Sequence, residues 1–308
     1  MATQSSPFTQ AVVQAVRKIY PEQLADNSFD NTGLLLEAPH RPGHLKNSVL
    51  LTVDLTSRVV DEAIARRDSV IVAYHPIIFR GLKALTLANS QQNSLLRLAQ
   101  EGISVYCPHT AVDAAPGGLN DWLADIIVGS KSSAATAHDR AVLTPAKDIS
   151  GFEDAGYGRR IRFHAPQKLG LLISRISSGL GNLKALSVAV PQSVPDTSIA
   201  EIEISTVGIC AGSGGSMLNG LDVDLLFTGE LSHHEALAAI EQGKCVITTF
   251  HSNTERQFLK DRMRGILRAQ IAGELLMTDG LTEGDYDVGV SAVDRDPYSV
   301  VLVDQKNQ

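Results

Sequence analysis

Two stretches of this chain repeat one another, and each ends in a histidine. The first runs from Asp54-Leu55-Thr56 through Glu62-Ala63-Ile64 and Val70-Ile71-Val72 to Tyr74-His75. The second runs from Glu230-Leu231-Ser232 through Ala238-Ala239-Ile240 and Val246-Ile247-Thr248 to Phe250-His251. Acid and histidine stand 21 residues apart in both copies, 54 to 75 and 230 to 251. Each copy reads as strand, acidic turn, helix and strand, with the histidine at the carboxyl end of the second strand. That edge is where open α/β sheets bind ligands. A repeat of this kind predicts two related halves, each bringing one imidazole to a shared site. Glu255 follows His251 by four residues. On a helix, positions i and i+4 face the same way, as two ligands of one metal do.

The rest of the first half alternates strand and helix. Strands are expected at Ser48–Val53, Ser69–Ala73 and Ile103–Cys107, with helices from Ser57 to Arg66, Ser90 to Glu101 and Gly117 to Ile127. The continuous apolar strands suit a parallel sheet covered on both faces. Ser130–Ala146 reads as a linker. Beyond it the chain predicts strands at Arg160–Phe163, Leu186–Val190 and Ile202–Cys210, a helix over Pro166–Leu180 and a closing strand at Tyr298–Val303. Strand–helix alternation predicts βαβ units and two α/β lobes. The expected division is an N-terminal lobe over 1–130, completed by the tail 285–308, and a second lobe over 151–284.

With 308 residues, 44% hydrophobic and 20% charged, the chain can pack two such cores. A net charge of −7 without a Lys/Arg run argues against a nucleic-acid surface. The short basic run Arg159-Arg160-Ile161-Arg162 reads as an edge strand. Cys107, Cys210 and Cys245 are scattered in apolar surroundings, which suits buried small side chains in a reducing compartment. No apolar run approaches twenty residues, so no membrane span is expected. The first nineteen residues lack acids and carry Arg17 and Lys18. That stretch is compatible with mitochondrial transit, and Val12, Ala15, Val16 and Ile19 also make it an ordinary amphipathic helix. The expected location is cytoplasmic, with mitochondrial or nuclear presence as alternatives.

His75, Asp113, His251 and Glu255 all lie at or just beyond the end of a predicted strand. Imidazole with carboxylate suits Zn, Mn, Fe or Ni, and a carboxylate can bridge two metals. His109, four residues before Asp113, is a further ligand or a group that orients one. Singly, each histidine also fits a hydrogen-bonded structural role. Gly212-Ser213-Gly214-Gly215 lacks the lysine of a phosphate loop and the full dinucleotide fingerprint. It reads as a strand-to-helix turn, with an anion cradle as the alternative. His233-His234-Glu235 opens a helix after Glu230, which leaves His234 and Glu230 either as first-turn polar residues or as proton-transfer groups.

The chain resembles the GTP cyclohydrolase I type 2 / Nif-three family, whose eukaryotic members are the Ngg-interacting factor three-like proteins. The resemblance rests on Asp30-Asn31-Thr32-Gly33-Leu34-Leu35, Tyr74-His75-Pro76, His109-Thr110-Ala111-Val112-Asp113 with Gly117-Gly118-Leu119-Asn120, Thr228-Gly229-Glu230, and His251-Ser252-Asn253-Thr254-Glu255, all in the family's order. It implies two similar α/β lobes with a metal cleft between them, assembled into a ring-shaped homo-hexamer. It implies His75, Asp113, His251 and Glu255 as ligands of one or two divalent metals (Zn, Mn, Fe or Ni). Tyr74 stands where bacterial members carry a second histidine, and it implies that the second metal is weakly held or absent. The implied activity is hydrolysis of a small, nucleotide-like substrate, with Glu230 and His109 moving protons. The rival expectation is a non-catalytic metal-binding scaffold or regulatory protein that binds a transcriptional co-regulator.

Overall fold

A computed structural model describes residues 4–129, 137–146, 149–276 and 286–301. The strands are β1 (Gly33–Leu36), β2 (Ser48–Thr52), β3 (Val70–Ala73), β4 (Ser104–Cys107), β5 (His138–Pro145), β6 (Gly156–Lys168), β7 (Ser187–Ala189), β8 (Glu203–Ser213), β9 (Leu225–Glu230), β10 (Cys245–Thr248) and β11 (Asp287–Val290). They form two sheets. The chain divides into two units, one of residues 1–122, 142–158 and 256–294, the other of 123–141, 159–255 and 295–308.

In the first unit the sheet order is β1-β4-β3-β2-β11. All pairs are parallel except β1 with β4. Every residue of β2, β3 and β4 is buried, as continuous apolar strands between two helical layers must be. Leu50, Ile71 and Val105 of this sheet pack with Val59, Val60 and Ala63 of helix Ser57–Arg66 and with Leu95 and Leu98 of helix Ser90–Glu101. The first of those helices is capped by the Thr56 hydroxyl and ends at Arg67 in a left-handed conformation. The second is capped by Asn89 and stopped by Gly102 at φ 85°.

The N-terminal helix Pro7–Ile19 is capped by Ser6 and buries Val12, Ala15 and Val16. It packs on helix Arg264–Leu276, joined by a Lys18–Glu274 ion pair of 2.8 Å. That second helix follows Asn253–Phe258 through a wide π turn, Leu259–Met263.

The second sheet has the order β5-β6-β8-β9-β10-β7. Strands β8, β9 and β10 run parallel, while β6 is antiparallel to β8 and β7 to β10. The two copies of the sequence repeat occupy like places in the two sheets. Strands β2 and β3 are parallel neighbours joined by a helix, and so are β9 and β10, whose helix His233–Glu241 carries a Ser232/Glu235 capping box. The chain is thus α/β, with a βαβ copy in each sheet.

Several local expectations are corrected. The stretch read as a linker contains β5 in its described part, a polar edge strand whose exposed side chains hide its pattern. Arg159-Arg160-Ile161-Arg162 lies in β6, an interior strand, and Arg159 is 2% exposed. Pro166 is in that strand, not in a helix. It sits where the ladder with β8 is interrupted between Arg162 and Gln167, so its missing N–H costs that ladder no bond. The helix begins at Leu169. Residues 298–301 form no strand, and 302–303 lie outside the described residues. Strand β1 and the short helix His109–Ala114 were not anticipated. No helix among the described residues is long and apolar enough to cross a membrane.

Candidate metal centre

In the first unit, β3 runs straight into Tyr74-His75. The ladder continues past the strand, with the Tyr74 and His75 N–H groups donating to Thr52 and Val53 carbonyls at 2.9 and 3.0 Å. This fixes the backbone at the sheet edge. Asp54, just past β2, then lies 2.9 Å from His75 Nδ1. Arg256 grips the other oxygen of Asp54 and also pairs with Asp294 at 2.6 Å. Burial pushes the Asp54 carboxyl up, but the His75 hydrogen bond and charge, with Arg256, hold it below the usual aspartate range.

Strand β4 delivers the second group of side chains. His109 follows Pro108 at φ 28°, an uncommon conformation for a residue with a Cβ. Its Nδ1 lies 2.6 Å from Asp30 Oδ1. The other Asp30 oxygen accepts from the Thr110 N–H at 3.2 Å and from the Thr110 hydroxyl. Burial raises the Asp30 carboxyl, and these bonds outweigh it, holding Asp30 below its ordinary range. Tyr74 donates its hydroxyl to Asp113 Oδ1 at 2.7 Å. The rings of Tyr74, His75 and His109 stand 5.0–5.5 Å apart, so His75, His109, Asp113 and Tyr74 form one cluster.

In the second unit, β9 ends at Glu230 and β10 leads through Phe250 to His251. His251 Nδ1 lies 2.8 Å from Glu230 Oε1. His251 Nε2 lies 3.5 Å from Oε1 of Glu255, on the first turn of helix Asn253–Phe258, and Glu255 is 2% exposed. His251 stands in the turn before this helix rather than on it, and that turn brings the two side chains within 3.5 Å. Gly212, at φ 61°, supplies the wall of this cluster. A Cβ there would stand 2.9 Å from His251 Nε2 and 3.1 Å from Glu255 Oε1. Its N–H donates to Thr254 at 2.9 Å and its carbonyl accepts from Thr228 at 3.0 Å. The glycine-rich stretch is thus a turn whose first glycine lets backbone approach two donor side chains. Gly229 is needed for the same reason, since a Cβ there would meet His251 Cα at 2.8 Å.

His233 and His234 are exposed on the first helical turn, their rings 5.3 Å apart. Glu235 belongs to the cap. Phe250 holds φ 65°, which costs a residue with a side chain about 1–3 kcal/mol. Sequence reasoning left out the roles of Asp30, Arg256 and Gly212. Asp30 opens the quoted Asp30–Leu35 motif and Gly212 the glycine-rich turn, but neither signal assigned the role seen here.

Residues 9–279 match the family described as Duf34/NIF3 (NGG1p interacting factor 3). Among similar proteins, one from Schizosaccharomyces pombe called Protein NIF3 homolog is 46% identical over 94% of this chain and 96% of its own length. The Saccharomyces cerevisiae protein called NGG1-interacting factor 3 is 40% identical over 94% of this chain and 96% of its own. The crystal structure of a Bacillus cereus protein related to NIF3 superposes with a TM-score of 0.74 at 19% identity, covering 97% of this chain and all of that one, which speaks to the fold alone. With its repeat, its two sheets and these matches in view, the chain belongs to the Duf34/NIF3 family.

Proposed function

We propose that this protein binds a divalent metal through His75, Asp113, His251 and Glu255 and hydrolyses a small, nucleotide-like molecule. The observation that carries the reading is a device present in each copy of the repeat. A carboxylate holds Nδ1 of His75, and another holds Nδ1 of His251. Such pairing fixes the ring and makes Nε2 the metal-binding nitrogen, as second partners of ligating histidines usually do.

The donor types fit such an ion. Two imidazoles and a buried carboxylate, His75, His251 and Glu255, are a transition-metal set, and Gly212 keeps its backbone close to two of them without a side chain in the way. When bound, the metal supplies Lewis acidity and lowers the pKa of water toward neutrality. Glu230 accepts the Nδ1–H hydrogen bond of His251 and, being exposed, exchanges protons between the site and solvent. His109, oriented by Asp30, presents its second nitrogen for proton transfer to the substrate. A homo-hexamer and a nucleotide-like substrate are carried over from the family resemblance.

A second reading is favoured by one contact. The Tyr74 hydroxyl donates to Asp113, a proposed ligand. If that bond persists, Asp113 serves the fold, and the protein is a metal-binding scaffold or a regulatory partner of a transcriptional co-regulator. The test is reconstitution with zinc, manganese or iron, elemental analysis, and assay of nucleotide hydrolysis with GTP among the substrates. Retained metal with turnover that is lost in His251→Ala supports the hydrolase. Retained metal with no turnover leaves the scaffold, and failure to retain metal removes both.

A further inference from the structure

Phe250 and Tyr298 form an aromatic pair that neither the acid–histidine pairing nor the donor set uses. Their rings lie 6.1 Å apart at 25°, close to parallel. Phe250 is 37% exposed and Tyr298 72% exposed, so both offer π surface to solvent. An apolar ring left in water contributes little to folding. Phe250 nonetheless holds its ring there on a left-handed backbone, φ 65°, which a side-chain-bearing residue adopts only where its surroundings impose it.

Tyr298 is placed as deliberately. Its N–H donates to Asp296 Oδ1 at 2.8 Å, and Asp296 Oδ2 accepts from the Ser252 hydroxyl at 2.6 Å. Phe250 and Ser252 flank His251 in the chain. Asp296 therefore ties Tyr298 to the turn that carries His251. Two aromatic faces select for planarity and tolerate any heteroaromatic ring.

We propose that Phe250 and Tyr298 are a stacking platform for a planar heteroaromatic ring of the purine class, set beside His251 and Glu255. The proposal rests on reading this site as one for a small nucleotide-like molecule, and it names the part of that molecule held here. The substrate's ring lies on the platform, and its identity is read elsewhere.

The experiment is calorimetric titration of the full-length, metal-reconstituted protein with GMP and, separately, with ribose 5-phosphate. GMP should bind at least tenfold more tightly. Tyr298→Ala and Phe250→Gly should each weaken GMP about tenfold, the usual loss when a stacking ring is removed, and leave ribose 5-phosphate unchanged. Phe250→Gly also relieves the left-handed backbone, so loss of binding there is not loss of fold. Tyr298→Phe should bind GMP as the natural protein does. Equal binding of the two probes, no binding of GMP, or variants that bind GMP normally would each overturn the platform. Metal content and GTP hydrolysis on the same samples separate the two readings. A platform that binds GMP in a protein without metal or turnover stands while the hydrolase reading falls.

Discussion

Asp54 Oδ1 stands 2.9 Å from Nδ1 of His75, and 21 residues separate the two. Glu230 and His251 repeat the relationship at 2.8 Å across the same separation. In both, an acid at or just past the end of one strand orients a histidine just past the end of its parallel neighbour. The helix between them only has to return the chain. The two acids differ in what else they do. Asp54 is also held by Arg256, whereas Glu230 is exposed.

Replacing the orienting acids should therefore separate affinity from stability. Glu230→Gln is expected to lower metal affinity by roughly 10–100-fold, the usual cost of losing a ligand's orienting partner, with the melting temperature unchanged. Asp54→Asn should lower affinity similarly and also destabilise, because Arg256 loses a charged partner. Competition against a chromophoric chelator, beside thermal melts, checks both. Unchanged affinity in Glu230→Gln would sink the orienting role.

Tyr74 bears on how many metals are held. A neutral phenol is a poor donor, and ionising it at neutral pH costs about 4 kcal/mol, three pKa units at ~1.36 kcal/mol each. One tightly held metal per chain is the expected stoichiometry. Tyr74→His should add a second and release Asp113 from its hydrogen bond. Elemental analysis decides, and two equally tight metals in the natural protein would refute the reading.

Gly212→Ala should damage the second cluster without touching a donor. The methyl group would sit 2.9 Å from His251 Nε2 on a backbone at φ 61°. Expected are a loss of about 1–3 kcal/mol in stability and at least tenfold weaker metal binding. Urea titration with and without metal measures both terms. Wild-type affinity in this variant would mean that the backbone yields, and that the closeness of Gly212 is incidental.

Alkali should weaken the first unit. Burial pushes the phenols of Tyr20, Tyr106 and Tyr157 up, and the Glu22 carboxylate, accepting from Tyr106 at 2.9 Å, raises Tyr106 further. The unfolded chain ionises its tyrosines near pH ~10, while these remain protonated in the fold. Their contribution is full below that pH and is lost as pH rises toward the raised folded values. Urea midpoints measured from pH 8 to pH 11 should fall steeply above about pH 10, and less steeply in Tyr106→Phe. A flat profile would contradict the assignment.

The repeat was legible because both of its determinants are local. A capped helix between two apolar strands marks itself, and an acid and a histidine at fixed spacing need only a parallel register to meet. Other features depend on partners far along the chain. Asp30 and His109 are 79 residues apart, and Gly212 and Thr254 are 42 apart. Gly212 therefore read as a turn or an anion cradle, not as the wall of a histidine–glutamate cluster. Strand β5 escaped notice because its side chains are largely solvated. The basic stretch of β6 suggested an edge because buried arginine is rare, yet Arg159 lies within the sheet.

The wide turn at Leu259–Met263 has a consequence for how this chain tolerates insertions and deletions. One helical rod carries Arg256, committed to Asp54 and Asp294, and then Leu267, Ile271 and Leu275, committed to the buried side. A π turn holds one residue more than an α turn. Remove that residue and the downstream stripe swings by roughly 100° relative to Arg256, so one of the two commitments must be abandoned. The rod is thus phase-locked at both ends, and length changes within 259–263 should be rejected where similar changes in surface loops pass unnoticed.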